Sequence, residues 1–110
     1  MEKWLMIVES NSNDPAREQE FNEWYDNVHL PDVLSIPGIM RATRYENSNA
    51  TEGQGKFLAM YEIETDNAVQ VLADLSDGMN QWTEKGHITE LLTIAGGCLY
   101  RQITAPVERK

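Results

Sequence analysis

The chain has two histidines, and one of them, His29, is set among groups that can give, take or orient a proton. Tyr25 lies four residues before it, Asp26 three before and Asp32 three after. Residues three and four apart share one side of a helix. Either aspartate can therefore orient the imidazole, and Tyr25 lies on a neighbouring part of the same face. An imidazole titrates near neutral pH. It suits general acid–base work on a small bound molecule, typically worth ~10²–10⁴-fold in rate. In the last turn of a helix the dipole favours the protonated ring and raises its pKa. The plainer alternative makes His29 a helix cap, or a partner for a loop carbonyl where Pro31 interrupts the backbone.

Trp24, Tyr25, Tyr45, Tyr61 and Trp82 can line an aromatic pocket with hydroxyl handles for a phenolic or polycyclic ligand. Trp24, in the middle of an apolar stripe, reads more readily as core. Tyr45 and Tyr61 lie on strands and can point to either face. Arg44 or Arg41 can reach a substrate carboxylate, although an edge salt bridge is the commoner fate of such a residue. His87 lies in a polar, glycine-interrupted stretch and is expected to face solvent. Two distant histidines with no HxH or HxxxH spacing do not make a metal site. No glycine-rich phosphate loop follows a strand, and no serine sits on a nucleophile elbow. Cys98 reads as a small buried residue rather than a nucleophile.

These groups need elements to hold them. On a helical wheel with Phe21 at the origin, Trp24, Tyr25 and Val28 fall within about 60° of it. His29 lands near 80°, at the edge of the apolar stripe. Asp14 followed by Pro15 signals a helix start, so the first helix is expected from about Pro15 to His29. Pro31 then ends or kinks it, opening at most a short turn through Leu34, and Pro37-Gly38 closes the unit.

Before the helix, Lys3 to Glu9 reads as a strand covered on both faces. After it, Ile39–Glu46 and Lys56–Glu64 form an antiparallel hairpin across the polar loop 47–55. Thr65 or Asp66 caps a second helix bearing Ala68, Val69, Val71, Leu72 and Leu75, and Asp77-Gly78 ends it. A looser stretch with Trp82 leads to a short helix carrying Ile88, Leu91, Leu92 and Ala95. Gly96-Gly97 ends that helix, and Cys98 to Thr104 is a fourth strand.

The order is β-α-β-β-α-β, an α+β ferredoxin-like sandwich with both helices on one face of a four-stranded antiparallel sheet. One domain spans residues 1–105, with 106–110 as a tail. The uncovered sheet face would carry Trp4 or Leu5, Tyr45 or Arg44, and Tyr61 or Met60. A face so apolar calls for a partner, most simply a second copy of the same sheet.

Composition narrows the partners. The chain has 18 acidic and 9 basic residues, a net charge of −9. No basic patch is available for nucleic acid or for an anionic membrane. The single cysteine precludes an intrachain disulfide. The opening apolar run is too short for a signal sequence or a membrane span, which points to the cytoplasm.

The stretch Phe21-Asn-x-Trp-Tyr-x-x-x-His29-x-Pro-Asp-x-Leu-x-x-Pro-Gly38, followed by Arg44-Tyr45, resembles the dimeric α/β-barrel superfamily, and within it the EthD-like group. Element order carries the resemblance over the whole chain, while only Phe21 to Tyr45 is motif-specific. It implies a homodimer whose sheets pack face to face into a barrel, with a pocket between each sheet and its helices or loops. Members include cofactor-free monooxygenases, lactone isomerases, polyketide cyclases and haem-dependent enzymes, some holding haem through a helix histidine. Fold therefore follows from the resemblance more firmly than reaction.

The combined reading is a homodimer that acts without a cofactor or metal on a small aromatic or cyclic metabolite. Its acid–base group would be His29, with Asp32 and Tyr25 completing the catalytic set. Trp24, Tyr45, Tyr61, Trp82 and Arg44 would contact substrate. The rival reading is a non-catalytic dimer that binds a small ligand or serves as an accessory protein in a metabolic pathway.

Overall fold

The computed structural model describes all 110 residues. Strands β1 (Glu2–Ser12), β2 (Ile39–Glu46), β3 (Phe57–Thr65) and β4 (Leu92–Arg101) form one antiparallel sheet in the order β2-β3-β1-β4. That is the split βαβ arrangement expected for this element order. β3 shows the period-2 burial of a strand with one covered face: Phe57, Ala59, Tyr61 and Ile63 are buried and the residues between them are not. Trp4, Met6 and Val8 of β1 pack on the same core. Alternation then puts Leu5, Tyr45 and Met60 on the open face, and Trp4, Arg44 and Tyr61 under the helices.

The first helical unit runs further than expected. Asp14 accepts a hydrogen bond from the Ala16 N–H at 3.0 Å and starts a 3₁₀ turn at Pro15. Next come α1 (Glu18–Trp24), one π turn (Tyr25–His29) and α2 (Leu30–Leu34), without a break. Pro31 therefore does not end the helix at His29. The Leu30 N–H reaches back five residues to the Tyr25 carbonyl. One widened turn just before the proline relieves the crowding between its ring and the preceding turn, so the chain stays helical. Gly38, at φ 94°, turns the chain into β2.

Three expectations in the second half are corrected. The cap of the next helix, α3 (Ala68–Glu84), is Asn67, whose side chain accepts from the Gln70 N–H at 3.1 Å, not Thr65 or Asp66. α3 also runs straight through Gly78, which is buried. A Cβ there would come within 2.8 Å of the Trp82 ring, so the glycine makes room for the tryptophan rather than ending the helix. Trp82 consequently lies near the end of α3, buried in the core.

Finally, no helix forms over Ile88–Ala95. β4 starts at Leu92 and pairs with β1 along its length, with Gly96 and Gly97 opposite Glu9 and Val8. The apolar spacing of Ile88, Leu91, Leu92 and Ala95 suits a helix turn, but the edge of β1 offers a full ladder of backbone hydrogen bonds. That pairing wins. The strand ends at Arg101, and the tail beyond it is exposed.

Candidate functional site

The π turn sets the position of His29. A wider turn takes more residues per revolution, so His29 stays above Phe21 and Tyr25 instead of drifting to the edge of the stripe. All three are buried, with His29 8% exposed. Its ring stacks on Trp24 (centroids 4.9 Å, interplanar 18°) and meets the edges of Tyr25 at 5.0 Å and Trp82 at 6.2 Å. Its Nδ1 is buried without a hydrogen-bond partner.

Burial disfavours the charged ring and takes the His29 pKa from 6.5 down to about 4; Asp32 pulls the other way and Arg44 adds to the fall. This reverses the rise expected for a histidine in a last helical turn. The helix continues past His29, so no free carbonyls surround the ring, and His29 is neutral at pH 7. It is not a helix C-cap. Its partner also differs: Asp32 Oδ2 lies 2.9 Å from His87 Nδ1, not against His29.

Arg44 closes the other side of Tyr25. Its guanidinium lies 4.2 Å from the Tyr25 ring centroid and donates to Asp26 Oδ1 and Asn22 Oδ1, each at 2.9 Å. Asp26 is thus taken by Arg44 and is not an orienting group for His29. The Tyr25 hydroxyl lies beside those of Tyr61 and Ser10, and burial raises the pKa of both tyrosines. They remain protonated at neutral pH and serve as hydrogen-bond donors, not phenolate bases.

Trp24, Tyr25 and Trp82 thus pack on His29, and Arg44 and Tyr61 are gathered on Tyr25. Tyr45 joins neither group. It lies on the open sheet face, 51% exposed, one register step from Arg44. His87 is only half-exposed, contrary to the reading that left it to solvent. Its backbone carbonyl accepts the Trp24 Nε1–H at 2.7 Å, and its own N–H donates to the Trp82 carbonyl at 2.8 Å. Nothing in the local pattern of a polar, glycine-flanked histidine signals that pairing across 55 positions to Asp32.

Nor is Cys98 buried; it is exposed on β4. No group of three or more His, Cys, Asp or Glu side chains is arranged to hold a metal ion. No helix is long and apolar enough to cross a membrane. A concavity of about 400 Å³ lies away from the histidines, at the opposite end of the sheet. Leu5, Met40, Arg41, Glu62 and Tyr100 line it.

No protein-family model and no curated protein matches the chain. Solved structures do. An EthD family protein from Bacillus halodurans is 20% identical (TM-score 0.54), with 94% of this chain and 100% of that one covered. A dimeric ferredoxin-like protein from an uncultured marine organism aligns at TM-score 0.68 and 11% identity, covering 96% and 100%. SnoaB from Streptomyces nogalater, a cofactor-independent oxygenase, aligns at TM-score 0.65 and 9% identity, covering 98% and 100%. At such identities the likeness is one of fold: this chain has the ferredoxin-like fold of these proteins over nearly its whole length.

Proposed function

We propose that the protein is a homodimeric enzyme that acts by acid–base chemistry on a small, uncharged aromatic or cyclic molecule, without a bound cofactor. The observation that carries the reading is His29. It is a neutral imidazole whose buried Nδ1 has no partner, enclosed by the rings of Trp24, Tyr25 and Trp82. A buried polar atom left unpaired costs about 1–3 kcal/mol, and ligand hydrogen bonding recovers it. The neutral ring is in its proton-accepting form, and the aromatic rings around it suit a flat ligand. The net charge of −9 disfavours an anionic substrate.

Dimerisation is part of the proposal. The open sheet face presents Leu5, Ile7, Leu58 and Met60 half-buried, with Tyr45 and Tyr100 exposed. Covering it with a second copy removes that apolar surface from water. Fold relatives described as dimeric support this arrangement. Light scattering should give twice the mass of the chain, and a clean monomer would remove this part of the reading.

A thermal-shift and turnover screen of wild type against His29→Ala, over phenolic, quinonoid and lactone compounds, tests the chemistry. A compound that stabilises both proteins but is consumed only by wild type supports the enzyme. We expect His29→Ala to lose roughly 10²-fold or more in rate, and activity retained within a few-fold would sink the role of His29. The second reading, a ligand-binding accessory protein, is favoured by the 400 Å³ concavity lying apart from the histidines. It predicts binding by both proteins, turnover by neither, and loss of binding on changing Tyr100 or Met40.

A further inference from the structure

We propose that His87, held by Asp32, is a second acid–base group of this site and exchanges protons with substrate through its free Nε2. The inference rests on the acid–base reading above and extends it to a residue that reading does not use.

His87 is fixed at three points, unlike an ordinary half-exposed histidine. Its N–H donates to the Trp82 carbonyl (2.8 Å) while the Gly86 N–H donates to the Thr83 carbonyl (3.1 Å), with Gly86 at φ 76°. Together these form a Schellman motif closing α3, with His87 as the residue after its glycine. The His87 carbonyl is held by Trp24 Nε1, and its Nδ1 by Asp32 Oδ2 at 2.9 Å. The carboxylate accepts from Nδ1–H, which leaves Nε2 as the basic nitrogen. The His87 side chain is 42% exposed, whereas Asp32 is 19% exposed. The pair thus sets a more buried, orienting carboxylate against a half-exposed ring.

The two histidines share their supports. Trp24 stacks on His29 and bonds His87; Trp82 meets the His29 edge and caps the His87 backbone. His29 is enclosed among rings, while His87 is half-exposed, with a carboxylate against its Nδ1. Two bases in such different surroundings suit a reaction that removes a proton at one position and returns it at another. In that step the His87 Nε2 takes a proton from an acidic C–H or O–H, the electron pair stays on the substrate, and the imidazolium later gives the proton back. No oxidant or reductant is consumed. Asp32 is a positioning residue, because it acts only through the His87 ring.

The probe is 5-nitrobenzisoxazole, an uncharged aromatic carbon acid. Loss of its ring C–H proton to a base forms a nitrile, breaks the N–O bond and releases a coloured phenolate. Wild type should open it faster than free imidazole at equal concentration. His87→Gln should lose roughly 10²-fold, and Asp32→Asn should lose part of that rate. Nitrogen-15 spectra should show the Nδ1–H tautomer at His87 in wild type, and a shift toward the other tautomer in Asp32→Asn. A merely structural Asp32 would leave the tautomer unchanged.

Loss in His87→Gln, with or without loss in His29→Gln, supports the dyad. Loss confined to His29→Gln overturns the dyad and leaves the His29 reading standing. A wild type no faster than imidazole, or two unaffected variants, overturns both.

Discussion

Phe21→Ala is expected to cost about 3–5 kcal/mol of folding stability, the range for removing a fully buried ring whose neighbours cannot collapse into the space. Phe21 has no exposed surface. Its ring lies 5.7 Å from Tyr25, 5.8 Å from Phe57 and 6.1 Å from Trp24, and Arg44 sits 6.0 Å above it. It joins the helix to the sheet at the point where both reach the histidine. The rigid rings on three sides are held by other contacts, so little relaxation is available. Against a typical total of about 5–15 kcal/mol, the loss would leave a domain of this size marginal or unfolded at 37 °C. Urea denaturation at 25 °C checks it. A loss under about 1 kcal/mol would show that the cluster repacks. Phe21→Leu, which keeps most of the volume, should cost much less.

A second large effect is expected from pH. The folded-state pKa of His29 is about 4 against 6.5 for the unsupported side chain, so between these values the unfolded chain binds the extra proton. Stability therefore rises with pH across that window, and nothing is lost above about pH 6.5. As pH falls from 6.5 toward 4 the protein should lose ~3 kcal/mol, since a tenfold difference in proton affinity is worth about 1.36 kcal/mol. Denaturation midpoints at pH 7 and pH 4.5 measure it, with His29→Gln as the comparison. The variant should lose less between the two pH values. Equal losses in both proteins would mean that His29 is hydrated and able to charge in the native state. The same measurement bears on chemistry: a ring neutral down to pH 4 is in its proton-accepting form across the physiological range, but burial also makes it a weaker base than a free imidazole.

Much of this architecture is legible without coordinates because it is set by local rules. Asp14-Pro15 starts the helix, Gly38 turns it, the β2–β3 hairpin has the expected bounds within a residue, and the alternation along Phe57–Ile63 marks the covered face. The gathering of Tyr25, Trp24 and His29 is legible for the same reason, since they share one helical stripe. Arg44 and Tyr61 depend on strand register, where a slip of one residue moves a side chain to the other face. Only the pairing with β1 and the packed helices put them inside and left Tyr45 outside.

What the sequence determined by itself was the element order, and with it the fold and the helix that carries His29. Tertiary structure decided the rest. Gly78 serves Trp82 instead of ending α3, because a ring several residues away needs the space. The segment after Ile88 is strand instead of helix, because the β1 edge supplies partners that an isolated turn lacks. Asp32 serves His87 instead of His29, because the Schellman turn at the end of α3 brings a histidine from 55 positions away to its carboxylate. The pKa of His29 falls instead of rising, because burial in a ring cluster outweighs a helix end that lies further on. The strand after Ile88 and the Asp32–His87 pair are set by neighbours distant in the chain, and a local pattern holds no information about those.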